Sequence, residues 1–448
     1  MIEIEKAYEA KKYENDIYQK WDDTGAFKAK VNKDKEPFSI ILPPPNATGT
    51  LHLGHATMLA IEDTIIRFKR MQGYETLWLP GIDHAAIATQ NKVEKDLWQS
   101  EKKTRHDYGR EEFLKKVEAF VEQSKLTIVN QMRKMGSSCD WSRLTYTMEP
   151  KVNKGVYEIF KRMYQSGLIY RGNRIVNWCT RCGSTLADDE VEFKEETTKF
   201  YYLKYGPVSI GTARPETKFF DKVIVAHPED KRYQKYFGQS MKVNWIDGEV
   251  EATFIADESA DPEFGSGAMT ITPAHDFIDF EIAQKHNLEI TQIIDEKGNF
   301  TSIVGPEFAG KNARKSRDEI IAKLEAKGLV EKIDENYTHN LSVCYRCGTA
   351  VEPLISKQWW IDVNKPNVDF GGQKLSLKTI LSQVVNKKDI EIIPERFEKN
   401  YFYWIDNLRD WCISRQIWFG HRIPVWYCQT LKNKECEEPI VSTETPKG

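Results

Sequence analysis

The spacing of apolar positions changes several times along the chain, and each change marks an element. Tyr8, Tyr13, Ile17 and Trp21 recur at helical spacing before Gly25, which predicts an opening helix packed on a main domain. Phe38 to Leu42 is an apolar run of strand length, ended by Pro43, Pro44 and Pro45 and followed by the turn Thr48-Gly49-Thr50. From Leu53 to Met71 the helical spacing returns through Leu59, Ile65, Ile66 and Met71, next to Gly73. TLWLPG then reads as a second strand and DHAAIATQ as a polar loop. Strand, loop, helix, strand is the opening of a parallel α/β unit.

Residues 92–172 read as mostly helical, with structural apolar stripes in EEFLKKVEAFVEQSKLTIVNQMRKMG and VNKGVYEIFKRMYQSGLIY. Between NWCTRCGSTL and SVCYRCGTAVEP the texture differs: KFYYLKY, VSIGTARPET and KVIVAHP predict strands, whereas DFIDFEIAQKHN and RDEIIAKLEAKG predict helices. This stretch, about 193–340, is expected to be an inserted mixed domain, mostly β. Beyond it the aromatics are dense, and Trp404, Trp411 and Trp418 are expected in the core. There are no repeats and no low-complexity tract.

At 448 residues the chain exceeds one ordinary core, so two to four domains are expected. With 40 % apolar and 29 % charged residues it is globular, and a net charge of -3 argues against a histone-like or coating role. It leaves room for nucleic acid on a local basic face. No apolar stretch reaches the roughly 20 residues of a membrane span, and the first residues lack a signal core, so a cytoplasmic protein without membrane contact is expected.

The first chemical signal is PNATGTLHLGHA, between a strand and a helix start. Unpaired N–H groups and the positive dipole end of a helix start welcome phosphate. Gly49 and Gly54 allow close approach to the backbone. His52 and His55, three apart, share a face and suit donation to phosphoryl oxygens. The bland alternative is two helix-surface histidines beside a proline-rich turn. A GxxxxGK[ST] loop is absent, which argues against a P-loop ATPase.

Two further islands, GTARPET (211–217) and GSGAMTITPAHD (265–276) with Asp279 beyond, combine glycines and threonines with acids. They suit a pocket for a small polar ligand. Asp276 and Asp279, three apart, can face one ligand. Equally, Thr-Pro-Ala-His-Asp can be simply a capped helix start. Cys179-x-x-Cys182-Gly183 and Cys344-x-x-Cys347-Gly348 flank the insert, and four thiolates suit one structural zinc ion shared between them. Four unbound thiols, or two half-sites completed elsewhere, are the alternatives. Cys139 and Cys412 read as small apolar fillers.

PPPNATGTLHLGHA is similar to the ATP-binding signature of class I aminoacyl-tRNA synthetases, and GIDHAAIATQ and DWCISRQIWFGHRIPVWYC resemble their valine-specific members. The resemblance covers nearly the whole chain and departs at Phe419, where the family usually has tryptophan. It implies an α/β fold: an incomplete Rossmann-like class I synthetase catalytic domain, interrupted by an inserted mixed, mostly β editing domain with zinc knuckles. The implied ranges are an N-terminal helical extension at 1–35, catalytic domain at 36–178, knuckle base at 179–192 and 341–350, editing domain at 193–340, and a return to the catalytic domain with the start of a second zinc module at 351–448.

The activity the resemblance implies is ATP-dependent activation of valine and its transfer to tRNA(Val), with hydrolysis of misformed threonyl-tRNA(Val). His52 and His55 would be catalytic. Asn46, Thr48, Gly49 and Gly54 would bind ATP with Mg2+, and Pro43 and Asp83 the amino acid. Thr212, Arg214, Thr272, Asp276 and Asp279 would form the editing site, with Asp279 on the α-amino group. Cys179, Cys182, Cys344 and Cys347 would hold Zn2+, and Cys428 would belong to a second zinc site. A purely hydrophobic pocket rejects an isostere that only adds a hydroxyl by about a hundredfold, and this same valine–threonine pair is the standard instance. Ala213 stands where the family usually has a second threonine, and Thr270 where its valine members commonly have lysine.

The family's second, lysine-rich ATP signature, the WFSS-like segment and the anticodon-reading helical domain do not occur. The chain is therefore expected to be a fragment or one piece of a split enzyme, partnered by a complementary C-terminal half and deficient in activation alone. Isoleucine or leucine members and a non-catalytic tRNA-binding paralogue are the competing readings.

Overall fold

The computed structural model describes residues 7–427 and 439–446. They form two compact units, residues 1–163 with 417–448, and residues 164–416. The five ranges expected from the sequence divide the chain more finely.

In the first unit, helix α1 (Ala10–Asp23) forms as predicted, but only part of the expected apolar set faces inward. Tyr8, Tyr13 and Ile17 are exposed, Trp21 is half-buried against Tyr18 and Phe27, and Tyr18 is the buried residue. The reason is polar: the Tyr18 hydroxyl donates to Ser137 O at 2.7 Å and accepts from Trp141 Nε1 at 2.6 Å, satisfying it inside. Strand β1 (Pro37–Ile41), helix α2 (Leu53–Met71) and strand β2 (Glu75–Leu79) make the expected βαβ unit. β1 and β2 run parallel, Pro37 beside Glu75 through Ile41 beside Leu79. After Pro80, β3 (Gly81–Ile82) pairs in parallel with β4 (Thr145–Tyr146).

Helices α3 (Ala86–Glu101), α4 (Arg105–Tyr108), α5 (Arg110–Lys134) and α6 (Pro150–Gln165) fill most of the stretch predicted helical, with β4 set between them. Phe113, Val117, Val121, Ile128 and Met132 form one buried stripe on α5. They pack with Leu59 and Ile66 of α2 and Trp78 of β2 in the unit's core. The rest of the α2 apolar pattern is not in that core: Ile61, Ile65, Phe68 and Met71 are exposed.

The second unit is built on strands β5 (Ile169–Cys179), β6 (Ser184–Leu186), β7 (Val191–Tyr205), β8 (Val208–Thr212), β9 (Val223–Ala226), β10 (Ser240–Trp245), β11 (Gly248–Ala256) and β12 (Ala268–Thr270). Helices α7 (Phe277–Lys285) and α8 (Arg317–Ala326) follow, then β13 (Val330–Cys344) and β14 (Val351–Ile361). The hairpin β15 (Val368–Phe370) and β16 (Gln373–Leu375), helices α9 (Leu377–Asn386) and α10 (Glu398–Asp406), and β17 (Trp411–Cys412) complete it.

A four-stranded sheet, β17-β14-β5-β6, forms the base. From it β7 and β13 rise as a long antiparallel ribbon, Val191 beside Cys344 at the foot and Leu203 beside Val330 at the top. The ribbon is largely exposed at its foot, and Phe200, Tyr201, Leu203 and Tyr205 are buried further up. There Tyr201, Leu203 and Tyr205 join the mixed sheet β10-β11-β9-β12 and α8, around Trp245, Phe254, Phe300 and Phe308, while Phe200 packs on Tyr337 and Phe264. The insert is thus mixed and mostly β. Trp404 and Trp411, expected in the core, are half exposed. They line a cavity of about 400 Å³ with Trp360, Phe277 and Leu408. Among the described residues no helix is long and apolar enough to cross a membrane.

Candidate functional site

In the first unit the PNATGTLHLGH turn is held from several sides. Gln131 Oε1 accepts the Leu51 N–H at 2.8 Å. Ala47 N donates to Asp83 O at 2.8 Å, and Asp83 N to Pro45 O at 2.9 Å. This isolated parallel bridge, Asn46 with Asp83, brings the loop after β3 against the turn after β1. Pro43 and Asn46 are exposed, and Thr48 and Gly49 half-buried. Gly49 has φ 142°, a backbone open to glycine and strained for other residues.

His52 is the N-cap of α2, and it forms a capping box with His55. The Gly54 N–H donates to His52 Nδ1 at 3.0 Å, and the His52 N–H to His55 Nδ1 at 3.3 Å. Because each Nδ1 accepts, each neutral ring carries its proton on Nε2. Burial, and then His52, hold His55 below the usual histidine range, which keeps it neutral. The rings lie 4.0 Å apart. The box therefore presents two imidazole N–H donors at a helix N-terminus. A Cβ at Gly54 would stand 2.8 Å from His52 Cε1, so glycine here makes room for the cap.

Asp83 Oδ1 accepts from Thr147 Oγ1 at 2.9 Å and lies 3.2 Å from His84 Nδ1. Burial raises the Asp83 carboxyl, but His84, the Ala85 N–H and Thr147 outweigh it, and the group stays below the ordinary range. It is an ionised, half-buried carboxylate suited to an ammonium ligand. His421, 4.8 Å from His84 ring to ring, bonds Asn153 Oδ1 through Nδ1 at 2.6 Å. Gln90 Oε1 accepts the Trp418 N–H at 2.9 Å and fixes that returning segment, while Phe419 is buried in the core.

In the second unit the two polar islands meet around the end of β12. Asp279 is buried; its Oδ2 accepts from Thr272 N at 2.7 Å and Thr272 Oγ1 at 3.3 Å. Burial, then Asp276, push the Asp279 carboxyl up to about 6. Asp276 is exposed and caps α7, its Oδ1 accepting from Ile278 N at 2.9 Å and Asp279 N at 3.2 Å. The two acids thus do different work. Arg214 is occupied too: Nη2 donates to Glu352 Oε1 at 2.5 Å, Nη1 to His275 O at 2.9 Å and Nε to Glu216 Oε1 at 3.3 Å. Its guanidinium ties the island together. Thr212 Oγ1 accepts the Arg214 N–H at 3.0 Å. Beside the islands Thr217, Phe220, Thr272 and Ile293 line a small cavity of about 30 Å³.

The Sγ atoms of Cys179, Cys182, Cys344 and Cys347 all lie within 4.8 Å of one another. Cys347 Sγ is 3.5 Å from Cys179 Sγ and 3.7 Å from Cys182 Sγ. Tetrahedral thiolate zinc, with Zn–S about 2.3 Å, spaces its sulfurs by about 3.8 Å. The donor set fits a metal ion of that kind. Hydrogen bonds among the sulfurs hold Cys179 and Cys182 above the ordinary thiol range and Cys344 and Cys347 below it. Cys139 and Cys412 are buried as expected of fillers. Cys428, assigned to a second zinc site, lies outside the described residues, as does Cys436.

The family model described as tRNA synthetases class I (I, L, M and V) matches residues 16–447. The chain belongs to this family. Among similar proteins, the valine--tRNA ligase of Clostridium tetani is 42% identical over 455 residues, covering 100% of this chain and 49% of the relative. That of Thermotoga maritima is 42% identical over 448 residues, covering 98% and 50%. The chain spans about half the length of the curated relatives it matches. Of solved structures, a leucyl-tRNA synthetase of Agrobacterium radiobacter, in ternary complex with tRNA and LeuAMS, covers 98% of this chain and 52% of its own. It matches at 15% identity and a TM-score of 0.43.

In this class I synthetase chain, the residues expected at the ATP turn and Asp83 come together within one unit, and the four cysteines within the other. Sequence reasoning missed the partners that set their geometry: Thr147, His421 and Asn153 around Asp83, and Glu352 and His275 around Arg214. His84 sits inside GIDHAAIATQ, and that position was its only signal. Glu352 lies far from Arg214 along the chain, and nothing local marks the pair.

Proposed function

We propose that this chain is part of an enzyme that activates valine with ATP and loads it on tRNA(Val), and that its insert hydrolyses threonyl-tRNA(Val). The observation that carries the first half is the bridge between Asn46 and Asp83. It ties the loop that carries an ionised carboxylate to the turn that leads into α2, whose N-terminus offers two imidazole N–H groups. Asp83 would hold the valine ammonium. With Asn46, Thr48, Gly49 and Gly54 seating ATP and its Mg2+, the valine carboxylate attacks the α-phosphorus, and the bond to pyrophosphate breaks. His52 and His55 donate from Nε2 to the phosphoryl oxygens as charge develops. Exposed Pro43 would border the amino acid.

In the insert, spanning about 193–340, the buried Asp279 would take the α-ammonium of the esterified amino acid. Thr272 holds Asp279 through its N–H and hydroxyl, Thr212 would line the same site from the other island, and the Arg214 knot and the Asp276 cap would hold the two islands in place. Water adds to the ester carbonyl, the ribose oxygen leaves with a proton, and free threonine and tRNA result. The four thiolates would hold Zn2+, which braces the foot of the β7–β13 ribbon. The identities of 42% to valine--tRNA ligases support valine over leucine or isoleucine.

The test is the release of threonine from threonyl-tRNA(Val) by this chain, with valyl-tRNA(Val) as the control. Faster threonine release, lost in Asp279→Ala, is expected. A folded chain that binds the tRNA and releases neither amino acid overturns the hydrolytic reading.

A further inference from the structure

Lys218 is the only buried lysine among the described residues, at 7% exposure. It lies in a short 3-10 turn, Pro215–Phe220. Its Nζ donates to Thr270 O at 3.0 Å and stands 3.5 Å from Asp221 Oδ2. The Thr270 hydroxyl donates to that same Asp221 oxygen. Asp221 is fully buried, and its Oδ1 has no hydrogen-bond partner. The ammonium thus joins one polar island to the last residue of β12. Two residues on, Thr272 holds Asp279 through its N–H and its hydroxyl.

Lysine is strongly hydrated, and an apolar side chain of similar length would fill the same space without desolvating a charge. Spending a buried ammonium on a backbone carbonyl makes sense if the charge and the position of that strand end both matter. The charged groups acting on Asp279 are Asp276 and Asp221, which oppose its ionisation, and Lys218, which favours it. Lys218 is the one cation among them.

We propose that Lys218 is a positioning residue of the hydrolytic site: its buried ammonium pins the Thr270 carbonyl, so that Thr272, two residues on, presents Asp279 to the substrate ammonium. The proposal rests on the reading of the insert as a hydrolytic domain. Neither Lys218 nor Asp221 touches the reacting ester in it. Burial first, then repulsion from Asp276, pushes Asp279 up to about 6, and the Lys218 charge acts in the opposite direction.

The experiment measures threonyl-tRNA(Val) hydrolysis by this chain against pH, for the unmodified protein, Lys218→Met, Lys218→Gln and Lys218→Arg, with thermal melts of each. Lys218→Gln keeps a donor to Thr270 without the charge and serves if the methionine variant does not fold. Expected are a loss of tenfold or more at pH 7 in the uncharged variants, an acid limb moved to higher pH by about one unit, and substantial recovery in Lys218→Arg. An unchanged rate in a folded uncharged variant, or a lower rate with an unmoved acid limb, overturns the proposal. Absence of hydrolysis by the unmodified chain overturns the underlying reading, and this proposal with it.

Discussion

At the scale of single residues, the capping box of α2 turns two histidines into oriented donors. Gly54→Ala would drive a methyl group against His52, with only 2.8 Å to its Cε1. The ring must turn, and the Nε2–H directions are lost. Valine-dependent ATP–pyrophosphate exchange, assayed with the complementary half present, is expected to fall tenfold or more, close to the effect of His52→Ala. Asp279 gives a second prediction. Its folded pKa is raised from 3.8 to about 6. Burial of the charge therefore destabilises the fold above about pH 6, and the penalty vanishes below the unfolded value near pH 4. A rise of this size is worth on the order of 3 kcal/mol. Asp279→Asn should raise the melting temperature at pH 8 and leave it nearly unchanged at pH 4, while abolishing hydrolysis. In the unmodified chain, hydrolysis should decline as pH falls through about 6. Equal melting shifts at both pH values would contradict the assignment.

At the scale of elements, the stripe Phe113, Val117, Val121, Ile128, Met132 is a case in which spacing alone reads correctly. A 25-residue helix with one apolar face has one way to bury it. Ile128→Ala should cost about 2–5 kcal/mol by the cavity it leaves, measured by urea unfolding of the first unit. Helix α1 reads less well. Its apolar positions are weakly spaced, and a tyrosine whose hydroxyl finds two partners wins the buried place. Trp404 and Trp411 show the converse, since aromatic density does not say which rings reach a core. At the foot of the ribbon, Cys182→Ser should abolish stoichiometric zinc binding and lower the melting temperature, and a chelator should reproduce the shift in the unmodified chain. Metal analysis together with thermal melts checks this, and a melt insensitive to both changes would remove the metal from the account.

For the whole molecule, the parallel pairing of the first unit involves few strands, and Ile61, Ile65, Phe68 and Met71 leave an apolar row exposed on α2. Such a row suits further elements of a doubly wound sheet. A complementary half supplied in trans is expected to raise valine-dependent ATP–pyrophosphate exchange well above that of this chain alone, and no gain sinks the idea. The sequence by itself determined the βαβ opening, the inserted, mostly β region between two CxxC pairs and the HLGH turn, because periodicity, glycine placement and cysteine spacing are local properties. Only the tertiary structure decided which donors those residues use. It set Asp83 beside the turn through Asn46, separated the roles of Asp276 and Asp279, occupied Arg214 with Glu352, and placed Lys218 under Thr270. Those contacts join residues distant in the chain, and what selects them is the need of each buried charge and N–H for a partner once the apolar faces have closed.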